Sequence, residues 1–273
     1  MNQTKKQPFI LNFFRSIKDF DYYKDVSNEK NSITILYFII LIIMYSLVVT
    51  IGIVYKVNQT VKEVKETINT EINSLEYVDG ILKINNDEYT SIFNNYVIID
   101  TSKENNDEYE KKSGVVIGKQ YCSIKMDEHI LKFSYNNYLS ENINKNDLIN
   151  ILDNNTTQYY ILISAMIFMM SLITLACSTI IDTLVISLIG VIIARIIVNN
   201  YFNFSNICKI AVHAVTLPIL LSMIYYIINT VSGFSIKYFS IMYTSIATIY
   251  IVTAILLITM DSYKNNENNN KEI

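Results

Sequence analysis

ITILYFIILIIMYSLVVTIGIVY, residues 33–55, is the stretch that decides the fold class. From Ile39 to Val54 it holds no charged residue. An α-helix rises about 1.5 Å per residue, so about twenty such residues match a hydrocarbon core ~30 Å thick. A soluble helix would break the run with a polar face at every turn or so. The run also outlasts the apolar part of a secretory signal, and Tyr55, Lys56, Val57 and Asn58 offer no small-residue cleavage site. The segment therefore reads as a transmembrane anchor.

The same pattern recurs towards the C-terminus. Tyr159 to Val198 carries only Asp182 and Arg195 as charges, and Tyr238 to Met260 carries none. Overall 51% of the chain is hydrophobic and 17% charged, and the apolar excess sits in these runs. The fold class expected is a multi-span α-helical membrane protein, with a small α+β extracytoplasmic domain inserted between span 1 and a C-terminal helical bundle. The lipid bilayer is its first partner. A net charge of −3 gives nothing for nucleic acid to bind.

Residues 1–32 precede the anchor, with six basic side chains against four acidic ones, a net of +2. Phe9, Phe13, Ile17 and Phe20 recur at helical spacing, with Arg15 and Lys18 on other faces. That pattern suits an amphipathic helix in the headgroup region and equally one packed on the rest of the protein. Lys and Arg bias a short flank to the cytoplasm, which puts the N-terminus inside and the residues after Tyr55 outside.

Residues 56–157 are polar, with 11 Lys against 17 Asp plus Glu. Val57, Val61, Val64, Ile68, Ile72 and Leu75 continue the first span as a helix with one apolar stripe, whose expected partner is the domain's own sheet. The period then changes. Tyr77–Ile84 reads as two strands about an Asp79-Gly80 turn. Tyr96–Asp100, Gly114–Ile117, Tyr121–Met126 and Ile130–Tyr135 read as further strands, and Asn146–Leu152 as a short helix capped at Asn146. Asp127, Glu128 and His129 form a polar cluster that reads as a turn.

Residues 158–260 divide into about four spans, 158–178, 182–200, 207–229 and 239–260, ahead of a polar tail at 261–273. A single helix over Tyr159–Val198 would be about 60 Å long, twice the core thickness. Ser178–Thr183, with Asp182, is the expected turn. This gives five spans with the anchor. A four-span alternative, with Leu184–Val198 re-entrant or interfacial, suits the charge bias better. Pro218 is expected to kink its span.

Polar groups in apolar segments are the candidate site residues, because burying them is costly. They are Asp182, Arg195, Lys209 and His213. Asp182 and Arg195 lie about 20 Å apart along a continuous helix and cannot pair; an anchor at a helix end is the commoner role for each. Lys209 and His213 share one helical face, which suits headgroup contact or a proton-sensitive residue; an interfacial lysine and a histidine bonded to a neighbouring helix are more ordinary. No nucleotide-binding, metalloprotease or serine-hydrolase motif occurs, and the single GxxxG, Gly114–Gly118, lies in the polar domain. Cys122, Cys177 and Cys208 form no CxxC pair, and no spacing of the two histidines suits a metal. Nothing asks for a cofactor or names catalytic residues.

The order of several pieces resembles a known family. Phe13-Phe14-Arg15-Ser16-Ile17 precedes the anchor. Tyr77-Val78-Asp79-Gly80-Ile81-Leu82, Val97-Ile98-Ile99-Asp100-Thr101 and Phe133-Ser134-Tyr135 follow, then Lys145-Asn146-Asp147-Leu148. Lys209-Ile210-Ala211-Val212-His213-Ala214-Val215-Thr216-Leu217-Pro218 comes near the end. Together they resemble the bacterial membrane family catalogued as domain of unknown function 1189, over nearly the whole chain. The resemblance implies a membrane protein of low-GC Gram-positive bacteria, with C-terminal spans similar to Yip-type proteins, which act through partners. One member carries a maltodextrin-utilisation label; the absence of Trp here weakens direct sugar stacking. The expectation is a non-enzymatic accessory or regulatory protein with a membrane or envelope protein partner. A small transporter or permease component comes second and an intramembrane enzyme third.

Overall fold

The computed structural model describes residues 8–70, 72–84, 89–92, 97–101, 113–126, 129–137, 142–154, 156–197 and 202–271. They divide into two units, Met1–Val54 with Ser164–Ile273, and Tyr55–Ile163.

In the first unit, α1 (Phe9–Lys18) and α2 (Tyr22–Asn28) precede α3 (Asn31–Thr70), which supplies residues to both units. Pro8 opens α1 with φ already at −64°. Asp19 closes it in extended conformation, and its Oδ1 accepts from the N–H groups of Asp21 and Tyr22, starting α2. α5 (Thr156–Ile197), α6 (Phe204–Ala214), α7 (Thr216–Ser232) and α8 (Phe239–Lys271) complete the unit. Its core joins Phe13, Tyr23, Tyr37, Leu41, Ile207 and Ile251 from the N-terminal and C-terminal thirds of the chain.

The turn expected at Ser178–Thr183 does not form, because those residues lie inside the unbroken α5. The helix takes up hydroxyls here: Thr183 Oγ1 donates to the Thr179 carbonyl and Ser187 Oγ to that of Thr183, both at 2.7 Å. No proline or glycine interrupts the segment before Gly190. Segments 158–178 and 182–200 are thus one helix through Ile197, and Leu184–Ile197 is no separate re-entrant element. The described residues hold four helices long and apolar enough to cross a membrane, within Asn31–Thr70, Ile161–Ile196, Phe204–Ser232 and Phe239–Asp261, rather than five. The third is interrupted at Val215, between α6 and α7. Pro218 has no N–H to offer the Ala214 carbonyl, and its ring crowds that carbonyl. α8 runs past Met260 through the polar tail to Lys271.

In the second unit, β1 (Leu75–Val78), β2 (Ile81–Ile84) and β8 (Ile143–Asn144) form one sheet in the order β2-β1-β8. β3 (Tyr89–Ile92), β4 (Val97–Asp100), β5 (Ser113–Ile117), β6 (Tyr121–Met126) and β7 (His129–Ser134) form another in sequence order, antiparallel except for the parallel β4–β5 pair. The helical stripe finds its expected partner: Ile68 and Ile72 are buried with Leu75, Tyr77, Leu82, Ile84 and Ile99. The helix itself stops at Thr70, and Leu75 already belongs to β1. β3 and β8 were not expected; both are short and set in polar sequence. Asp127, Glu128 and Tyr96 lie outside the described residues, while His129 opens β7.

α4 (Lys145–Asn154) is capped two residues earlier than expected. Asn144 Oδ1 accepts from Asp147 N–H, and Asp147 Oδ2 accepts from Asn144 N–H, both at 3.0 Å. This is a capping box, with Asn144 rather than Asn146 at its head. The next residue, Lys145, sends Nζ to the carbonyls of Ile72 (2.6 Å) and Asn69 (3.4 Å), placing a cation at the C-terminal end of α3.

Asp79 and Gly80 turn β1 into β2 with φ of 50° and 83°, the double left-handed geometry of a hairpin turn. A Cβ on Gly80 would stand 2.2 Å from Asn136 Oδ1, which already accepts from Tyr77 Oη. Gly80→Ala is therefore expected to cost the second unit about 2 kcal/mol through backbone strain and overlap. Hydrogen exchange at β1 and β2 in the full chain checks it, since a global unfolding signal would be dominated by the long helices.

Burial also pushes the Cys122 thiol up from its ordinary pKa. Thiolate is the reactive form, so less of it is present at neutral pH than in a free cysteine. With Cys177 and Cys208 replaced, Cys122 should react with maleimide several-fold more slowly in the folded chain than after unfolding.

Candidate functional site

Lys209 and His213 are one turn apart on α6, and Thr216 follows at the start of α7. The sequence placed the first two on one face; the fold sets that face against the N-terminal segment. The chain leaves α2 in extended conformation at Glu29, ψ 165°, and both its carbonyl and its carboxylate meet α6. Lys209 Nζ donates to the Glu29 carbonyl at 2.7 Å and lies 3.5 Å from that of Ser27. A cation thus closes the C-terminal end of α2. Glu29 Oε1 accepts from Thr34 Oγ1 at 2.5 Å and lies 3.3 Å from His213 Nε2.

His213 is fully buried. Its Nδ1 is 2.8 Å from Ser16 Oγ on α1. Its ring stacks on Tyr37 at 4.1 Å and 15°, with the edge of Tyr22 at 5.5 Å. Tyr37 Oη is 2.8 Å from Thr216 Oγ1 and 3.4 Å from Ser16 Oγ. Tyr23 Oη donates to the Ser16 carbonyl and Tyr250 Oη to that of Ile17, each at 2.8 Å. Residues from α1, α2, α3, α6, α7 and α8 meet in this one cluster. Burial pushes the phenols of Tyr22 and Tyr23 above their ordinary range, and the Glu29 charge adds to the effect on Tyr22.

The remaining charges around it sit at the rim. Arg15 Nε is 3.2 Å from Asp19 Oδ2 and Nη2 is 3.4 Å from Asp25 Oδ2, while its guanidinium lies over Tyr22, 4.4 Å from the ring centroid. Lys24 pairs with Asp21 at 3.0 Å and with Asp261 of α8.

A hydroxyl, an imidazole and a carboxylate in line invite comparison with a catalytic triad. The order on the ring is reversed here: the hydroxyl meets Nδ1 and the carboxylate Nε2. Ser16 lies in the interior of α1, 1% exposed, where Oγ also lies 2.8 Å from the Asn12 carbonyl. Backbone N–H groups around it serve the helix, so none is aimed at a developing oxyanion. The arrangement fits a lock between segments better than a nucleophile.

The other two sequence candidates stand apart. Asp182 is half-buried on α5, fifteen residues before its C-terminal end. Arg195 is exposed near the end of α5. Among the described residues no hydrogen bond or ion pair joins either to the Lys209–His213 cluster, and no group of His, Cys, Asp and Glu could hold a metal ion. Sequence reading missed Ser16, Glu29, Tyr37 and Thr216. Two signals existed: Ser16 is a polar residue on the Phe9–Phe13–Ile17 face, and Glu29 is the acid nearest the start of the first apolar run.

A bundle of long apolar helices, locked to its own N-terminal segment and carrying a small α+β unit, defines a class of membrane-compatible helical protein rather than a recognisable enzyme scaffold. Within that class the chain belongs to the family described as "Protein of unknown function (DUF1189)", whose model matches residues 11–255 and so takes in every residue of the cluster. No curated protein and no solved structure shows a significant match to the chain.

Proposed function

We propose that the chain is a multi-pass protein of a Gram-positive cell membrane, acting through a membrane or envelope partner rather than by catalysis. Its N-terminus is cytoplasmic and its α+β unit extracytoplasmic, where that unit recognises the partner or an envelope ligand; carbohydrate utilisation is one process it would serve. One observation above all supports this reading. Lys209 and His213, two of the four candidate polar residues of the apolar helices, are occupied by Glu29, Ser27 and Ser16 of the same chain. Groups lining a substrate path would instead face a shared opening.

The test is photo-crosslinking in intact cells, with a photoreactive residue at exposed Val78, Tyr121 or Asn136 of the α+β unit. A reproducible discrete adduct supports the proposal, and its absence at all three sites counts against it. In a chain cleared of native cysteines, Lys62→Cys should react with membrane-impermeant maleimide in intact cells, and Lys18→Cys only after permeabilisation. The opposite pattern inverts the orientation. A permease role is the second reading, carried by Asp182 as a half-buried carboxylate in the apolar α5; uptake that survives Asp182→Asn unchanged would remove its support.

A further inference from the structure

We infer that α1 is a lipid-contacting helix, held at the acyl–headgroup boundary of the cytoplasmic leaflet by the Ser16–His213 lock; this rests on the membrane reading above. The helix has two apolar faces. Phe13, Asn12 and Ser16 are buried, and Phe9 and Ile17 pack on the bundle core. The outward arc is apolar as well: Ile10 is 68% exposed, Phe14 51% and Leu11 45%. At about 100° per residue these three span one side of the helix, with Lys18 in the same arc one turn beyond Phe14 and Arg15 bordering it beyond Leu11. Lys18 Nζ lies 5.9 Å from the Phe14 ring centroid.

The level of α1 along the helices says what covers that arc. Lys209 meets Glu29, two residues before α3 begins, and marks the charged edge of the bundle. His213, which holds Ser16, is one turn further in, about 6 Å. The Phe9 ring is 5.1 Å from that of Tyr37, four residues beyond the first apolar residue of the run, again about 6 Å. Both measures match the ~5–10 Å depth at which interfacial helices lie. At that level α3 exposes Ile35, Leu36 and Ile39, apolar side chains that face lipid on the membrane reading. The exposed Lys18 on that arc suits anionic headgroups, within a segment whose net charge is +2.

The chain contains no tryptophan, so one substitution makes a clean reporter. Phe14→Trp, Leu11→Trp and Ile39→Trp are each reconstituted, full length, in phosphatidylglycerol–phosphatidylcholine vesicles brominated near the top of the acyl chain or near its end. Trp at 14 or 11 should be quenched at least about two-fold more by shallow bromine than by deep bromine, the signature of an interfacial helix. Trp at 39 reports whether the bundle itself is in lipid. Quenching at 39 without quenching at 14 or 11 overturns the inference and leaves the membrane reading standing, as it would if a second copy or another protein covered the arc. Stronger deep than shallow quenching at 14 and 11 also overturns it. No quenching at any position removes both readings. Two reporters on the exposed arc guard against a variant that misfolds.

Discussion

His213→Ala should loosen the N-terminal segment from the bundle and destabilise the first unit by about 3 kcal/mol. Interhelical hydrogen bonds in apolar surroundings are worth roughly 1 kcal/mol each, and His213 makes two, to Ser16 and to Glu29. The stacked Tyr37 face and the Tyr22 edge lose their contact as well, leaving a void in a fully buried place. Thermal unfolding in nanodiscs measures the loss, and protease cleavage between α1 and α3 reports the loosening directly. Glu29→Gln separates the contributions. The amide keeps an oxygen for Thr34 Oγ1 and a partner for the ring, so its cost should be nearer 1 kcal/mol. Equal losses for the two variants would show that charge, rather than the ring's packing and bonds, holds the segment. An unchanged melting point for His213→Ala would remove the lock altogether.

Glu29 and Ser16 also show where sequence reading stopped. Apolar runs announce themselves because few structures besides a membrane span accommodate a bilayer-length stretch without charge, and the four long helices sit where those runs lie. The Asp79-Gly80 hairpin was equally legible, since two consecutive positive φ values demand that kind of dipeptide. Partners distant in sequence leave no such trace. Ser16 and His213 are 197 positions apart, and nothing local in α1 says that its serine faces an imidazole. The amphipathic pattern of α1 allowed bundle or lipid as its neighbour, and the packing assigns Phe9, Phe13 and Ile17 to the bundle.

Asp182 misled for a related reason. A carboxylate in an apolar run looks like a turn, because turns are where water can reach it. Whether the backbone turns there depends instead on helix breakers, and α5 has none before Gly190. Thr183 and Ser187 return their hydroxyls to carbonyls one turn back, so those polar side chains are accommodated without a break in the helix. Length was the other misleading quantity: the thickness of a bilayer limits how much of a helix can be in lipid, without requiring the helix to end there.

Gly190→Leu is expected to cost about 3 kcal/mol, because α5 meets the rest of the first unit there through a missing side chain. A Cβ at Gly190 would lie 2.5 Å from Ile251 Cδ1 on α8 and 2.9 Å from Ile207 Cγ2 on α6. Both isoleucines are fully buried core residues, so neither has free space to retreat into. Small residues let helix backbones approach where no hydrophobic gain drives association, and filling the gap forces the helices apart. Gly190→Ala should cost about 1 kcal/mol, since only the tips of two side chains need to give. Gly233 provides the contrast. Its φ is +69° and nothing lies within 4 Å of the Cβ position, so Gly233→Ala should cost about 1 kcal/mol from the backbone alone, with α5 undisturbed. Unfolding midpoints of the three variants in nanodiscs should fall in the order Gly233→Ala and Gly190→Ala together, then Gly190→Leu well below. Hydrogen exchange in α5 should quicken for Gly190→Leu only. A Gly190→Leu chain as stable as the parent would mean that α5 is not seated on Ile207 and Ile251.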